Sequence, residues 1–332
     1  MTTKEEVKAL WKRCFDDSDA FTDLYFDRRY KEEINRVVRR NGKIISALQA
    51  IPYPMTFCGE VIPVSYISGA CTHPDYRKHG AMKRLLTETH RRMYADGVWL
   101  AALIPAEEWL FGYYARSGYV AAFGYAQERI QADALHPAAD CRVEVCELPG
   151  AEHHRYLDSR LRRRRSCILH TEEDFGVIQA DLKLGGGKLL VARGADGIVG
   201  MAWAVGGEMK ELLADTEGVR DALLSEAAHI YKVQYVEICV PATAEPRWLG
   251  MARVIRAEEM LGIFARAYPA AEHYIHLEGD EAIAENNGYY TLRRGVCLRG
   301  RIAGKEYRSY TPDTLTRLLL EAEHPYMSLM LN

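Results

Sequence analysis

The segment His73-Pro74-Asp75-Tyr76-Arg77-Lys78-His79-Gly80-Ala81-Met82 concentrates residues able to do chemistry. A strand-like run, 61–72, ends just before it, and an amphipathic stretch starts at Gly80. The junction reads as a helix start behind a basic, glycine-containing turn. The first N–H groups of a helix have no partner inside it, and the helix dipole adds about half a positive charge there. Arg77, Lys78 and His79 add side-chain charge, and Gly80 lets backbone approach an anion closely. The set suits a pyrophosphate. Basic residues ahead of a helix are also commonly a solvated surface, since charged side chains are mostly exposed. What surrounds the turn decides between the two.

The elements that must position this turn can be read from periodicity and turn residues. Residues 4–15 and 18–31 read as amphipathic helices, with Thr3 placed as the cap of the first and Glu5 and Glu6 in its first turn. Strands are expected at 34–38 and 44–53, joined by a hairpin turn at Asn41-Gly42, and a second turn falls at Cys58-Gly59-Glu60. The helix 80–96 places Met82, Leu85, Leu86, Thr89 and Met93 on one face and stops at Gly97. A buried strand at 98–104, a helix at 107–116 and a strand at 119–123 follow.

Beyond Ile130, residues 132–140 carry Pro137 and several alanines and read as a linker. A second mixed unit then shows a hairpin at 188–193 and 198–205, a helix at 215–233 and a strand at 235–240. A second linker is expected at 241–246. The last unit opens with a helix at 256–267, continues with strands near 274–278 and 288–298, and ends in a helix at 311–322. The first two units share a hairpin–helix–strand texture, which hints at duplication. The expected domains are 1–131, 132–245 and 246–332; at roughly 150 residues per domain a chain of 332 suggests two, with three small ones possible.

The stretch Arg77-x-x-Gly80 between a strand and a helix resembles the cofactor motif of the GNAT acetyltransferases. The run Tyr113-Tyr114-Ala115-Arg116-Ser117-Gly118-Tyr119 resembles a second signature of that family. The 34 residues from Gly80 to Tyr114 leave room for helix, strand and second helix. Met82 departs from the small residue of the general motif, a departure shared by the Eis (enhanced intracellular survival) type, which the chain resembles over its whole length. The segment 250–261 and the stretches 287–292 and 310–320 resemble the opening, interior and final helix of a sterol-carrier-protein-2-like domain. The resemblance implies α/β and α+β architecture: tandem GNAT-like domains, each a mixed central sheet flanked by helices, the second degenerate, followed by an SCP2-like domain.

By the same resemblance the donor is acetyl-CoA, with no metal. Ala70, Cys71 and Thr72 would offer backbone groups to its pantetheine arm. Arg77, Lys78, His79, Gly80, Ala81 and Met82 would hold the pyrophosphate, with Ala106 and Glu107 also in the cofactor site. Tyr114 matches the family's general acid; its other reading is a core aromatic on an amphipathic helix. Acyl transfer to an amine needs a neutral amine, although lysine-like amines have a pKa of ~10.4. It also needs a polarised thioester carbonyl and a proton for the departing thiolate, which a tyrosine hydroxyl within hydrogen-bond reach can supply. Cys71 has no accompanying His–Asp pattern and reads as a small strand residue rather than a nucleophile.

In Eis-type enzymes the chain's tail returns to the first domain and its terminal carboxylate is the general base. Here that implies the α-carboxylate of Asn332, ionised at neutral pH given a pKa of ~3.5; Glu107 and Glu108 are the fallback. The apolar tail 324–332 reads equally as a cover over a seam between domains. Asp16, Asp17, Asp19, Asp23 and Asp27 in the first two helices either form a solvated face or attract a cationic amine, with Phe21, Tyr25 and Phe26 as the apolar wall beside it. The function implied is acetyl-CoA-dependent N-acetylation of a small-molecule or peptide primary amine. The rival is a non-catalytic protein that senses acetyl-CoA or holds a lipid in its last domain.

Composition narrows the remaining classes. Apolar residues are 48% and charged residues 27%, which excludes a largely disordered chain. A net charge of −3 gives no long-range pull toward nucleic acid or anionic membrane. No run approaches the ~20 apolar residues of a membrane helix, and 1–8 lacks the apolar core of a signal peptide. The eight cysteines form no C-x-x-C pair and are expected reduced, in a cytoplasmic protein. The basic run 160–165 is followed closely by Glu172, Glu173 and Asp174 and lacks interleaved aromatics, so it reads as a solvated or inter-domain ion-pair surface. Gly185-Gly186-Gly187-Lys188 lacks the rest of a phosphate loop and reads as a turn. Neither nucleic acid nor membrane is an expected partner, whereas a homo-oligomer is compatible with the family.

Overall fold

The computed structural model describes residues 2–138, 141–242 and 245–331. The chain opens with α1 (Thr3–Cys14) and α2 (Asp19–Arg28) and a three-stranded meander, β1 (Asn35–Arg40), β2 (Lys43–Phe57) and β3 (Glu60–Thr72). It continues through α3 (Ala81–Ala95), β4 (Leu100–Leu103), α4 (Trp109–Ala115) and β5 (Val120–Gln131). The cap of α1 is Thr2, not Thr3: Thr2 Oγ accepts from Glu5 N while the Glu5 carboxylate accepts from Thr2 N, a closed capping box. Both expected turns are two-residue hairpins with two left-handed residues, Asn41 (φ 50°) with Gly42 (77°) and Cys58 (50°) with Gly59 (84°).

The second unit comprises β6 (Arg142–Val145), α5 (Ala151–Leu161), β7 (Cys167–Ile168), α6 (Glu172–Leu184), β8 (Lys188–Gly194), β9 (Gly197–Val205), β10 (Glu208–Ala214), α7 (Glu217–Tyr231) and β11 (Tyr235–Pro241). Its segment α5–α6–β8–β9–β10–α7–β11 repeats α1–α2–β1–β2–β3–α3–β4 in order. It also repeats it in strand direction: antiparallel, antiparallel, then parallel in each. The hinted duplication is therefore present in the backbone.

The third stretch holds β12 (Arg247–Val254), α8 (Ala257–Ala267), β13 (His273–Leu277), β14 (Gly288–Arg293), β15 (Val296–Arg299), β16 (Arg308–Tyr310) and α9 (Pro312–Glu321). The single strand expected at 288–298 is two, because Arg294 (φ 50°) and Gly295 (77°) make a third tight turn. Strand β12 lies between β4 and β5, pairing Ala252 with both Ala102 and Val120. The other half of β5 pairs with β11. Among the described residues this gives one twelve-stranded sheet of order β1-β2-β3-β4-β12-β5-β11-β10-β9-β8-β6, with β7 on β2. The unit expected to begin at 246 thus contributes its first strand to the first unit's sheet. The rest is an α+β arrangement with strand order β15-β14-β13-β16.

The core follows the two faces of the sheet. In the first half, Ala47, Ile51, Val64 and Tyr66 cluster with Trp11, Tyr25 and Phe26 of α1 and α2. Leu48, Ile67 and Ala101 cluster with Leu85, Leu86 and Met93 of α3. The second half repeats the division, with Trp203 and Val191 in the cluster of α5 and α6 and Ala202 and Leu190 in that of α7. The basic run 160–165 supplies ion pairs between elements: Arg160 with Asp215, Arg164 with Glu211 and Arg165 with Glu323.

Candidate active site

Strand β3 pairs with β4 only from Val64↔Leu100 to Ile67↔Leu103. Strand β4 ends at Leu103, opposite Ile67, and β3 runs on to Thr72 with its ladder to β2 alone. The wedge left beyond the end of β4 presents main-chain donors and acceptors of residues 68–72 to whatever lies beside them. A bulge controls which side chains face it. Residues 68 to 71 of β3 span only Gln49 to Ala47 of β2, one residue fewer. Tyr66 and Cys71 thereby join the cluster of the α1–α2 face, while Ile67 and Ala70 join that of the α3 face. Without the extra residue Cys71 would point the other way. Gly69 makes the bulge possible: its φ is 58°, and a Cβ there would sit 2.1 Å from the Trp11 ring.

The turn after β3 is built to present α3. Pro74–Tyr76 forms a single 3-10 turn, and His73 Nδ1 accepts from Asp75 N at 3.3 Å. Arg77 Nε donates to the Thr72 carbonyl at 3.1 Å, which fastens the turn to the strand end. Lys78 (φ 66°) and Gly80 (φ 75°) are both left-handed. Gly80 occupies the cap position of α3 with no side-chain cap, and a Cβ added to it would meet nothing within 4 Å. The first N–H groups of α3 therefore face open space unsatisfied by a cap.

Wedge and helix start frame a cleft of about 570 Å³, lined by Ala70, Thr72, Arg77, Lys78, Gly80, Ala81, Met82 and Tyr114, with Trp109, Tyr113 and Arg116 on the α4 side. Tyr114 is 7% exposed and its hydroxyl hydrogen-bonds to none of the described residues. Burial, with smaller contributions from Tyr113 and Cys71, pushes its pKa well above the ordinary tyrosine value, so it holds its proton at neutral pH.

The other expected residues fall elsewhere. Cys71 is buried beneath the strand, with its thiol beside Cys14. His79 lines an adjoining cavity that shares Gly80 and Ala81 with the cleft. Ala106 and Glu107 are exposed in the loop before α4 and lie outside the cleft; the Glu107 carboxylate accepts from Trp109 Nε1 at 2.6 Å. Asn332 lies outside the described residues. The tail leading to it is more deeply buried than expected: Tyr326, Met327, Ser328 and Leu331 are each under 9% exposed. Tyr326 exchanges backbone hydrogen bonds with Ser166 and Ile168.

The acidic residues of the first helices do not gather at the cleft. Lys4, Lys8 and Lys12 of α1 pair in antiparallel order with Asp27, Asp23 and Asp19 of α2, and Asp17 accepts from Trp11 Nε1 at 2.7 Å. Tyr25 and Phe26 are core, at 1% and 0% exposed.

Sequence reasoning missed the bulge at Gly69, although a glycine inside a strand pattern is its usual signal. It also missed Trp109 and Arg116 as cleft residues.

The second unit differs at the equivalent place. Strands β10 and β11 are also parallel, and their pairing stops after Met209↔Ile238. The turn before α7, however, is Asp215-Thr216-Glu217, and the Thr216 hydroxyl caps the helix by accepting from Val219 N. Asp215 is held by Tyr156 and Arg160. An acidic, capped helix start repels a phosphate.

Residues 2–122 match the family model described as acetyltransferase (GNAT) domain. No curated protein matches the sequence. Among solved structures, a GCN5-related N-acetyltransferase from Anabaena variabilis superposes with a TM-score of 0.77 at 16% identity, covering 97% of this chain and 96% of that one. Eis1 from Mycobacterium abscessus gives 0.75 at 15%, covering 96% and 88%. A GCN5-related N-acetyltransferase from Kribbella flavida gives 0.74 at 15%, covering 99% and 95%. At these identities the likeness concerns the fold, and it extends over nearly the whole chain. The cleft described above thus lies within the residues that match this family model, in a chain that has the overall fold of these solved proteins.

Proposed function

We propose that the chain is an Eis-type N-acetyltransferase that moves acetyl from acetyl-CoA directly to a primary amine. One observation carries the reading. The uncapped start of α3, flanked by Arg77 and Lys78, meets the free edge of β3 in a cleft that Tyr114 also lines. The pyrophosphate is held by the first N–H groups of α3 and the Lys78 side chain, with Arg77 anchored through Thr72 beside them. Main-chain groups of Ala70 and Thr72 hydrogen-bond the pantetheine arm as a further strand would. A main-chain N–H in the wedge after Ile67 polarises the thioester carbonyl. Tyr114 gives its proton to the departing thiolate. In this reading the base is the α-carboxylate of Asn332, which takes the amine proton through water. The last unit, an α+β assembly, is read as SCP2-like. The acceptor class is a small-molecule or peptide amine. The second unit carries no donor site of its own, given the capped acidic turn before α7.

The direct test is release of free CoA thiol when the full chain is given acetyl-CoA and a panel of polyamines, amino sugars and lysine peptides. Amine-dependent release, abolished without amine, is expected. Tight acetyl-CoA binding with no release for any amine would leave the sensing alternative standing. Extending the C-terminus by a few residues moves the carboxylate and tests the base: native rates after extension would remove Asn332 from the mechanism.

A further inference from the structure

A further cavity, of about 410 Å³, lies between the tail and the α6 side of the sheet. Its floor crosses β12, β5, β11, β10 and β9, from Leu249 to Trp203. That is four strand spacings, roughly 19 Å. The walls are apolar for most of this length: Ile178 and Leu182 of α6, Trp203, Leu249, Met327 and Leu329. The end at β12 lies beside the wedge. A Cβ on Gly250, next to Leu249, would meet the Leu103 carbonyl at the close of β4 and Met327 Sδ, each at 3.0 Å. The other end lies under α6, whose Ile178 and Leu182 cluster with Leu189 of β8 and Trp203 of β9, and there Asp181 joins the lining. The polar groups of the lining differ in how far they are already satisfied. Gln127 is held by Glu237 at 2.8 Å and by Arg247 at 2.6 Å. Glu208 is paired with Lys210 at 2.8 Å, and Ser328 donates to Glu211 at 2.5 Å. The Asp181 carboxylate has no hydrogen bond and no ion pair among the described residues. Burial, unrelieved by a cation, raises its pKa above the ordinary value.

An elongated apolar chamber thus runs from the wedge to one uncompensated carboxylate. Such a carboxylate gains from a cation within hydrogen-bond reach. Between the two ends the walls are aliphatic or aromatic and their polar groups already paired, so an ammonium midway would lose its hydration without return. We propose that the chamber seats the acceptor, and that this acceptor is a primary amine on a long apolar chain whose far end carries a second cationic group, held by Asp181. The inference rests on the acetyl-transfer reading of the cleft. The neutral near amine attacks the thioester carbon. The C–N bond forms as the C–S bond breaks, and the proton shed by nitrogen balances the one gained by the CoA thiol. The far cation keeps its charge and takes no part in the bond changes.

The experiment gives the full chain acetyl-CoA with 1,12-diaminododecane, spermine or dodecylamine and reads release of the CoA thiol. Spermine has the chain length of the diamine but replaces two methylenes by ammonium groups, and dodecylamine lacks the far cation. Hydrogen bonds to a charged group are worth enough to expect kcat/KM for the diamine roughly 10- to 100-fold above that for dodecylamine, and it should exceed that for spermine as well. In Asp181→Asn the preference over dodecylamine falls toward unity, and in Asp181→Glu, which keeps the charge, it persists. Thermal unfolding of each variant shows that it is folded. Dodecylamine used as well as the diamine, spermine preferred to the diamine, or a preference that survives Asp181→Asn would each overturn the proposal. Turnover of other amines but not of the diamine would overturn it too. No thiol release with any amine would instead refute the transfer reading beneath it, so the two failures are distinguishable.

Discussion

Tyr114 and Gly69 show two ways in which one residue governs the cleft. Tyr114 lies among Leu85, Leu86 and Tyr119, and burial keeps its hydroxyl protonated at neutral pH. The proton is therefore in place for a departing thiolate, while the same burial makes the hydroxyl a weaker acid. Tyr114→Phe retains the ring and is expected to lower kcat by roughly 10²–10⁴ while acetyl-CoA affinity stays within about twofold of the wild type, an effect separable by calorimetry and single-turnover kinetics. Near-native single-turnover rates would reduce Tyr114 to a packing residue. Gly69 acts on register. Gly69→Ala places a methyl against the Trp11 ring and forces a left-handed alanine, which should destabilise the chain by about 2–4 kcal/mol in urea unfolding. The same strand holds Cys71, whose thiol faces Cys14 across the α1 interface. Hydrogen bonding from Cys71, then from Arg77, with the charges of Arg77 and Arg13, holds the Cys14 pKa below the ordinary cysteine value, while the Cys71 thiol is pushed up. Alkylation of Cys14 by iodoacetamide should therefore rise with a midpoint below the ordinary cysteine value, and Cys71→Ala should move that midpoint upward. A midpoint near the ordinary cysteine value in the wild type would contradict the pairing. The sequence offered no route to this contact, since Cys14 and Cys71 meet only because α1 packs on β3.

At the scale of elements, the parts that could be read are those whose signals are local. The two-residue turns at 41–42 and 58–59, the apolar face of α3 and the basic turn at its start all depend on neighbours within a few residues. The strands that went unread depend on distant partners. Strand β12 is buried throughout its second half, Gly250 to Val254, with no alternation to mark it. Its pairing with β4 and β5 joins residues more than a hundred positions apart. The exchange is structural: β5 serves both halves of the sheet, and β12 closes the first half after the second is complete. A boundary drawn at a proline-rich stretch such as 241–246 cannot see that. The turn and start of α3, by contrast, were legible as one contiguous segment, although Cys71, His79, Ala106 and Glu107 of the expected set do not line the cleft. The element-level test follows from the dipole. Gly80→Asp puts a carboxylate and a Cβ in a left-handed position at the anion site, and should weaken acetyl-CoA binding at least tenfold with little change in unfolding midpoint. Arg77→Ala removes both a cation and the tether to Thr72 and should weaken it less. Unchanged calorimetric affinity in both would sink the pyrophosphate assignment.

Across the whole molecule, buried polar links tie the units to one another as well as the shared sheet does. Arg29, at the C-terminal cap of α2, is bound to Asp174 of α6 and to the Tyr53 hydroxyl. Arg253 of β12 reaches Asp280 at 2.6 Å and the Ser117 carbonyl at 2.6 Å, and Glu323 gathers Arg165, Ser166 and Tyr268 near the start of the tail. Two histidines sit within this framework in neutral form. His90, 1% exposed, bonds Tyr119 Oη at 2.9 Å, with the charge of Arg253 nearby. His170, 2% exposed, bonds the Ser328 carbonyl of the tail at 3.0 Å, and Asp174, Arg29 and Glu211 surround it. Burial lowers both pKa values, that of His170 to about 4. The direction of the stability effect follows. Below pH 6.5 the unfolded chain binds protons at these two sites and the folded chain does not, so stability falls as the pH is lowered, by up to about 1.4 kcal/mol per pH unit for each histidine. The loss begins near pH 6.5 and, for His170, continues to about pH 4. Most carboxylates titrate below this range in the unfolded chain, so the interval from pH 6.5 to 5 reports chiefly the buried histidines, with Cys14, His153 and His273 adding to the slope in the same direction. Urea midpoints are expected to drop steadily over that interval, and His170→Asn, which keeps a donor toward Ser328, should make the drop shallower. Midpoints that stay level from pH 6.5 to 5 in the wild type would mean that these imidazoles protonate freely inside the fold, and with it that the tail opens readily enough to let water reach His170.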